Sequence, residues 1–292
     1  MTILHVRHKT IYTYREPVQF GEHRLMSRPR DSHDLRLIDT TMAITPEPSA
    51  IRWIHDVFGN SIAIVSFTQM APELIFESTF RAEHYPSTPR ELVVESYAQK
   101  FPFSYSSEDT TDLGRTKERH YPDPEHKIDA WAREMLESVP GGATLDVLMA
   151  MTTGIKSQFQ YLARATEGVQ SPLETLAYGS GSCRDFAVFM MEAVRTLGLA
   201  ARFVSGYLYD EDLIGAEGGM VRSGETHAWV QVFLPGAGWV EYDPTNALAG
   251  GRNLIRVAVA RDASQAVPLQ GSFHGLTDAF LSISVEVTVT TE

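Results

Sequence analysis

The sequence predicts an α+β protein: an N-terminal β-sandwich, then helices, then strands against which those helices pack. Three observations predict it. Short β-prone runs separated by turns fill the chain to about residue 85, helical periodicity takes over after about residue 125, and strand patterning returns beyond Gly198.

The first strand is expected over His5–Tyr14, rich in β-formers and stopped by Pro17. A second covers Leu35–Ile44, ahead of Pro46 and Pro48. Ile51–Asp56 leads through the Phe58-Gly59-Asn60 turn into Ser61–Phe67, and Leu74–Glu83 follows. Strands this short, at this spacing, suggest a small sandwich. Residues 86–125 hold five prolines (86, 89, 102, 122 and 124) and a polar stretch from Ser106 to Thr116, which reads as a linker. Ile128, Trp131, Met135 and Leu136 then recur at helical steps before Pro140-Gly141-Gly142. Leu145, Leu148, Met149, Ile155 and Phe159 do the same on a second segment. A third helix begins at Cys183 and carries an apolar stripe of Phe186, Phe189, Met190, Ala193, Val194 and Leu197, with Gly198 as its stop. Strands are expected at Ala201–Tyr209, Thr226–Leu234 and Gly238–Asp243, and the strict alternation of Leu281–Thr290 predicts a half-buried strand. The chain thus divides into a sandwich (1–85), a linker (86–125), a core (126–255) and a C-terminal segment ending in a strand (256–292).

Composition narrows the function. Hydrophobic residues at 43% and charged residues at 21% of 292 are ordinary for a soluble globular protein. A net charge of −12 with no Lys/Arg cluster argues against nucleic acid. No segment reads as a signal peptide or a membrane span, so a cytoplasmic protein with no membrane partner is expected. A single cysteine excludes an internal disulfide and a cysteine-rich zinc site. No Asp-rich calcium loop is evident, and neither a metal nor a cofactor is expected.

That one cysteine lies where a glycine-rich turn, Gly179-Ser180-Gly181-Ser182, enters the third helix. The unpaired amides of a first helical turn favour a thiolate over a thiol, and small flanking residues leave room for a substrate. A core-filling cysteine would lie inside the stripe with Phe186 and Phe189. Among ten histidines, His227 stands apart. It opens a strand after a glycine-containing loop (Glu217–Glu225), a place both rigid and reachable, as a general base requires. Asp243 ends the next strand before Pro244-Thr245-Asn246. Taken alone, Asp before Pro merely starts a turn. Cys183, His227 and Asp243 in this order nevertheless follow the logic of a nucleophile–base–orienter triad.

The pleat supplies a geometric condition. His227 and Asp243 share a sheet face only if opposed residues have numbers summing to an even value. A three-residue loop, Pro235-Gly236-Ala237, pairs Leu234 with Gly238, sets Asp243 opposite Trp229 and leaves His227 as its diagonal neighbour. A four-residue loop without a bulge would send the two side chains to opposite faces.

Four motifs in this order, Gly181-Ser182-Cys183-Arg184-Asp185-Phe186-Ala187, Ala201–Tyr207, His227-Ala228-Trp229-Val230 and Gly238–Asn246, resemble the bacterial transglutaminase-like proteins. Leu25–Arg30 and Asp56–Asn60 are similar to the β-rich N-terminal region of that family. The resemblance covers most of the chain. It implies a papain/transglutaminase-like core, its cysteine helix packed on an antiparallel sheet bearing His and Asp, with Cys183, His227 and Asp243 as the triad. It further implies acyl transfer on amide, peptide or isopeptide bonds of a peptide or protein substrate, chiefly hydrolysis, with transfer to an amine as the alternative. A non-catalytic binding protein on the same fold is the reading of another class. The Cys183 amide is expected to hold the oxyanion, with Tyr161 as candidate second donor, whereas Trp229 is expected to pack the sheet. Ala260-Arg261-Asp262-Ala263 departs from the Gly-Arg-Asp-Tyr-type run often found in such proteins and leaves substrate contacts there open.

Overall fold

The computed structural model describes residues 2–86, 92–164, 168–209 and 222–291. Strands β1 (Thr2–Phe20), β2 (His23–Arg28), β3 (Leu35–Thr45), β4 (Ala50–His55), β5 (Ser61–Ser66) and β6 (Met70–His84) come first. Helices α1 (Ser107–Leu113), α2 (Lys127–Glu137) and α3 (Thr144–Gln158) follow, then β7 (Gln160–Tyr161), α4 (Pro172–Tyr178), β8 (Ser180–Gly181) and α5 (Cys183–Thr196). The chain continues through β9 (Ala201–Leu208), β10 (Arg222–Leu234), β11 (Gly238–Asp243), β12 (Leu248–Ala249) and β13 (Leu254–Ala260). It closes with β14 (Leu269–Gln270), β15 (Phe273–His274) and β16 (Phe280–Thr291).

Helices therefore pack on a largely antiparallel sheet beside a β-rich N-terminal unit, the α+β arrangement expected. In that unit β3-β6-β1 faces the four-stranded sheet β14-β2-β5-β4. Tyr14, Val18, Phe20, Leu25, Val65, Phe67, Leu74 and Phe76 fill the space between them. Pro17 does not end β1. It sits exposed where the β1–β6 register shifts between Thr13 and Val18, and at a bulge no ladder amide is required of it.

The C-terminal segment is built into both halves. β13 pairs with β9, while β16 runs antiparallel along β1 from Leu4 to Tyr14 and also pairs with the start of β10. A continuous sheet path thus runs β12-β11-β10-β16-β1-β6-β3. Only the end of β16 is covered. Val287 and Val289 are buried against Leu4, Val6 and Phe80, whereas Leu281, Ile283 and Val285 remain exposed, because among the described residues no second layer covers that half of the strand.

Of the residues read as a linker, 87–91 lie outside the described residues, and those from Leu92 on are packed rather than loose. Val94 and Ala98 join the main core, with Phe101, Phe103 and Tyr105 against it. The Tyr105 hydroxyl donates to the Phe233 carbonyl at 2.8 Å, and the buried Glu192 carboxylate of α5 accepts from the His120 and Tyr121 amides at 3.0 and 3.1 Å.

α5 lies at the centre of the core. Phe186 through Arg195 are buried, with Phe186 and Phe189 against Trp131 and Phe159 from α2 and α3, and Ala228, Val230 and Val232 of β10 beneath. Each large side chain removed from water here contributes about 2–3 kcal/mol. This packing holds the start of the helix against the sheet. Among the described residues no helix is long and apolar enough to cross a membrane.

Candidate active site

α5 starts at Cys183, with Ser182 in extended conformation as its N-cap. The turn before it packs tightly: a Cβ on Gly181 would lie 2.9 Å from the Asp185 Cβ and 3.2 Å from the Phe186 ring. Only glycine lets the turn lie this close to the helix it feeds. The Cys183 side chain is partly exposed at the rim of the main core, outside the buried stripe.

Across the cleft, the β10–β11 hairpin has the odd loop. Leu234 pairs with Gly238, Phe233 with Trp239 and Val230 with Tyr242. Continued by one residue, this register sets Asp243 opposite Trp229 and diagonal to His227. The side chains meet there, with His227 Nε2 and Asp243 Oδ2 at 2.9 Å and both groups buried. Of the stretch Glu217–Glu225 read as a loop before the histidine, residues 217–221 lie outside the described residues and 222–225 already belong to β10, so His227 lies within the strand rather than at its head.

Asp243 serves as both turn-former and orienter. Its Oδ1 accepts from the Thr245 amide at 2.9 Å and the Asn246 amide at 3.3 Å, while Oδ2 accepts from Asn246 Nδ2 at 2.8 Å as well as from His227. Burial alone would raise this carboxyl, but the donors from His227, Asn246 and Thr245 hold it below the usual carboxylate range.

The imidazole lies between Asp243 and Cys183. Burial works against its charged form, yet the hydrogen bonds to Asp243 and Cys183, with the charges of both, push the ring up to about 10. With Nε2 committed to Asp243, Nδ1 is the nitrogen left for the sulfur. Trp229, fully buried, stacks on His227 with centroids 6.0 Å apart and 24° between planes, and so packs the sheet as expected while fixing the ring.

Tyr161 arrives by a different route. β7 pairs in parallel with β8, placing Tyr161 beside Gly181, two residues before Cys183. Its ring is 46% exposed, rather than a core aromatic closing the helix. Its hydroxyl is raised by burial and then by the charges of Cys183 and Glu225.

The Arg261-Asp262 run lies at a different contact. Asp262 receives the Tyr121 hydroxyl at 3.3 Å, and Arg261 contacts His120 Nδ1 at 3.0 Å, so the two residues of this run that match the family pattern hold the His120–Tyr121 stretch. Asn246 and Asp185 were not singled out from sequence, although both lie inside motifs that were. The Ser182-x-x-Asp185 spacing is that of a capping box, and Asn246 follows an Asp-initiated turn. Among the described residues no three His, Cys, Asp or Glu side chains gather as a metal site.

A helix-borne cysteine facing a sheet-borne histidine and aspartate defines a protein of the papain/transglutaminase-like class. The chain belongs to the bacterial transglutaminase-like proteins: residues 4–83 match the bacterial transglutaminase-like N-terminal region and residues 129–244 the transglutaminase-like superfamily. An uncharacterized protein of Mycobacterium leprae is 29% identical over 98% of each chain. A protein-glutamine gamma-glutamyltransferase of Pseudomonas aeruginosa is 34% identical over 35% of this chain and 14% of its own. In three dimensions the fold is similar to that of a provisionally assigned cysteine protease from Cytophaga hutchinsonii, with a TM-score of 0.69 and 16% identity over 100% of this chain and 98% of that one.

Proposed function

We propose that this protein is a thiol-dependent acyl-transfer enzyme acting on amide, peptide or isopeptide bonds of a peptide or protein substrate. The observation that carries this reading is the His227–Asp243 pair, joined at 2.9 Å, with Cys183 at the start of α5 near enough to the ring to favour its charged form.

In this scheme the Cys183 thiolate attacks the substrate carbonyl, and its oxygen becomes an oxyanion beside the first turn of α5. The Cys183 amide stabilises that charge, with Tyr161 as the second donor proposed. Collapse breaks the C–N bond, and the departing amine takes the proton from the His227 imidazolium. A thioester carries no charge on sulfur, so acylation removes part of what held that proton, and the ring becomes a stronger acid just as the amine needs one. The now neutral imidazole accepts a proton from water, whose oxygen attacks the thioester. The acid is released and the thiolate–imidazolium pair returns.

Hydrolysis is the outcome we favour. Amine acyl transfer is the second reading, favoured by the 34% identity to a protein-glutamine gamma-glutamyltransferase over 103 residues. The two differ only in whether water or an amine reaches the thioester. Incubating the protein with a pool of glutamine-containing peptides, with and without a primary amine, and weighing the products separates them. Cleaved or deamidated peptides support hydrolysis, and amine adducts support transfer. Peptides left unchanged, with no adduct on Cys183, would favour a binding protein on the same fold.

A further inference from the structure

A fully buried carboxylate lies two residues beyond the nucleophile, on the same helical turn. Asp185 Oδ1 accepts from the Gln170 amide at 2.7 Å. Its Oδ2 accepts from both the amide and the hydroxyl of Ser182, each at 2.8 Å, and Arg164 Nε lies 3.2 Å from the same oxygen. One side chain thereby ties together three segments: the turn entering α5, the stretch around Gln170 and the chain leaving β7.

We propose that Asp185 is a positioning residue that holds the Cys183 backbone amide in the direction of the forming oxyanion, an inference that rests on the acyl-transfer reading above. Cys183 N–H belongs to the first turn of α5, where the helix supplies no carbonyl for it. Its direction is set by the Ser182–Cys183 peptide. Fixing the Ser182 amide and hydroxyl on one carboxylate oxygen leaves that peptide little freedom. The same frame holds Tyr161, because its neighbours Gln160 and Leu162 donate their amides to the Gly179 and Gly181 carbonyls at 2.8 and 2.9 Å.

Helix capping alone does not call for this arrangement. An exposed Ser, Asn or Asp caps a helix without burying a charge, whereas burying a carboxylate is costly unless it is paired and fully bonded. Charge also explains the arginine. An unpaired anion so near the sulfur would repel both the thiolate and the oxyanion, and the Arg164 guanidinium offsets it.

Two reactions of Cys183 separate positioning from general damage. Acylation by p-nitrophenyl acetate builds an oxyanion; alkylation by iodoacetamide displaces iodide at a saturated carbon and builds none. In the full-length Asp185→Asn protein, acylation should slow about a hundredfold while alkylation changes by no more than about threefold. Arg164→Gln, a milder change at a less buried side chain, should give the same split with smaller size, and decides the matter should Asp185→Asn not fold. Acylation at the wild-type rate in folded variants, or an equal fall in both reactions, overturns the proposal. A wild-type protein that alkylates but never acylates overturns the acyl-transfer reading itself and this inference with it.

Discussion

His227 and Asp243 are diagonal neighbours across one hairpin, Nε2 to Oδ2 at 2.9 Å, because Leu234 pairs with Gly238 around a three-residue loop. Everything proposed for the site depends on that parity. One residue more in the loop, without a bulge, turns the carboxylate to the other face of the sheet.

Replacing the carboxylate while keeping its shape tests its role. Asp243→Asn leaves an acceptor for the Thr245 amide but removes the charge that orients the imidazole and stabilises its protonated form. Acylation of Cys183 should fall about a thousandfold or more. Stopped-flow acylation with an activated ester, alongside a thermal melt to verify folding, checks it.

The ring also makes stability depend on pH. His227 is raised from its ordinary 6.5 to about 10 in the folded protein, so its contribution is fully present below pH 6.5 and is lost as pH rises through about 10. Asp243, held low, contributes above its ordinary 3.8 and loses that contribution as pH falls through its lowered value. Urea unfolding of wild type and His227→Gln from pH 6 to pH 10 should show the wild-type advantage shrinking as pH rises across this window (about 4 units).

Asn246 holds the aspartate from its far side, Nδ2 to Oδ2 at 2.8 Å. A hydrogen bond to a charged group contributes about 1.5–3 kcal/mol, so Asn246→Ala should lower acylation about tenfold or more, with Asn246→Gln recovering little because the longer arm misplaces the amide. Rates measured for the three proteins under one set of conditions decide it.

Gly206 lies opposite His227 on β9, where an added Cβ would meet the Ile255 carbonyl oxygen at 2.1 Å and the Trp229 ring at 2.7 Å. The carbonyl is backbone and cannot swing away. Gly206→Ala should cost about 1–3 kcal/mol of stability and shift the indole that stacks on His227. A lower denaturant midpoint together with slower acylation is the expected pair of results.

Local signals carried most of the site. Cys183 at a helix start, His227 on a β-prone run and the loop that sets the hairpin register are all written within a few residues of chain, and the pleat converts loop length into side-chain direction. Long-range pairing was not written there. Nothing near Leu281–Thr290 says that it runs beside β1 rather than a neighbouring element, or that Val287 and Val289 join a cluster with Leu4, Val6 and Phe80 while Ile283 and Val285 stay exposed. Five prolines and the polar stretch Ser106–Thr116 read locally as a linker, and nothing beside the apolar residues among them names their packing partners. The surface that covers those residues is formed by segments distant in sequence. Asp185 escaped notice for a related reason: a capping box marks a helix start, while its burial and its contacts with Arg164 and Gln170 exist only once three segments meet.

The most direct test of the acyl-transfer account is the mass of the protein itself, quenched in acid during turnover of an activated ester or an amide substrate. The account predicts one acyl group on wild-type protein, mapped to Cys183 by peptide mass, absent from Cys183→Ala and slow to form in His227→Gln. An unmodified wild-type Cys183 under conditions where substrate is consumed, or an acyl group carried elsewhere, would contradict it.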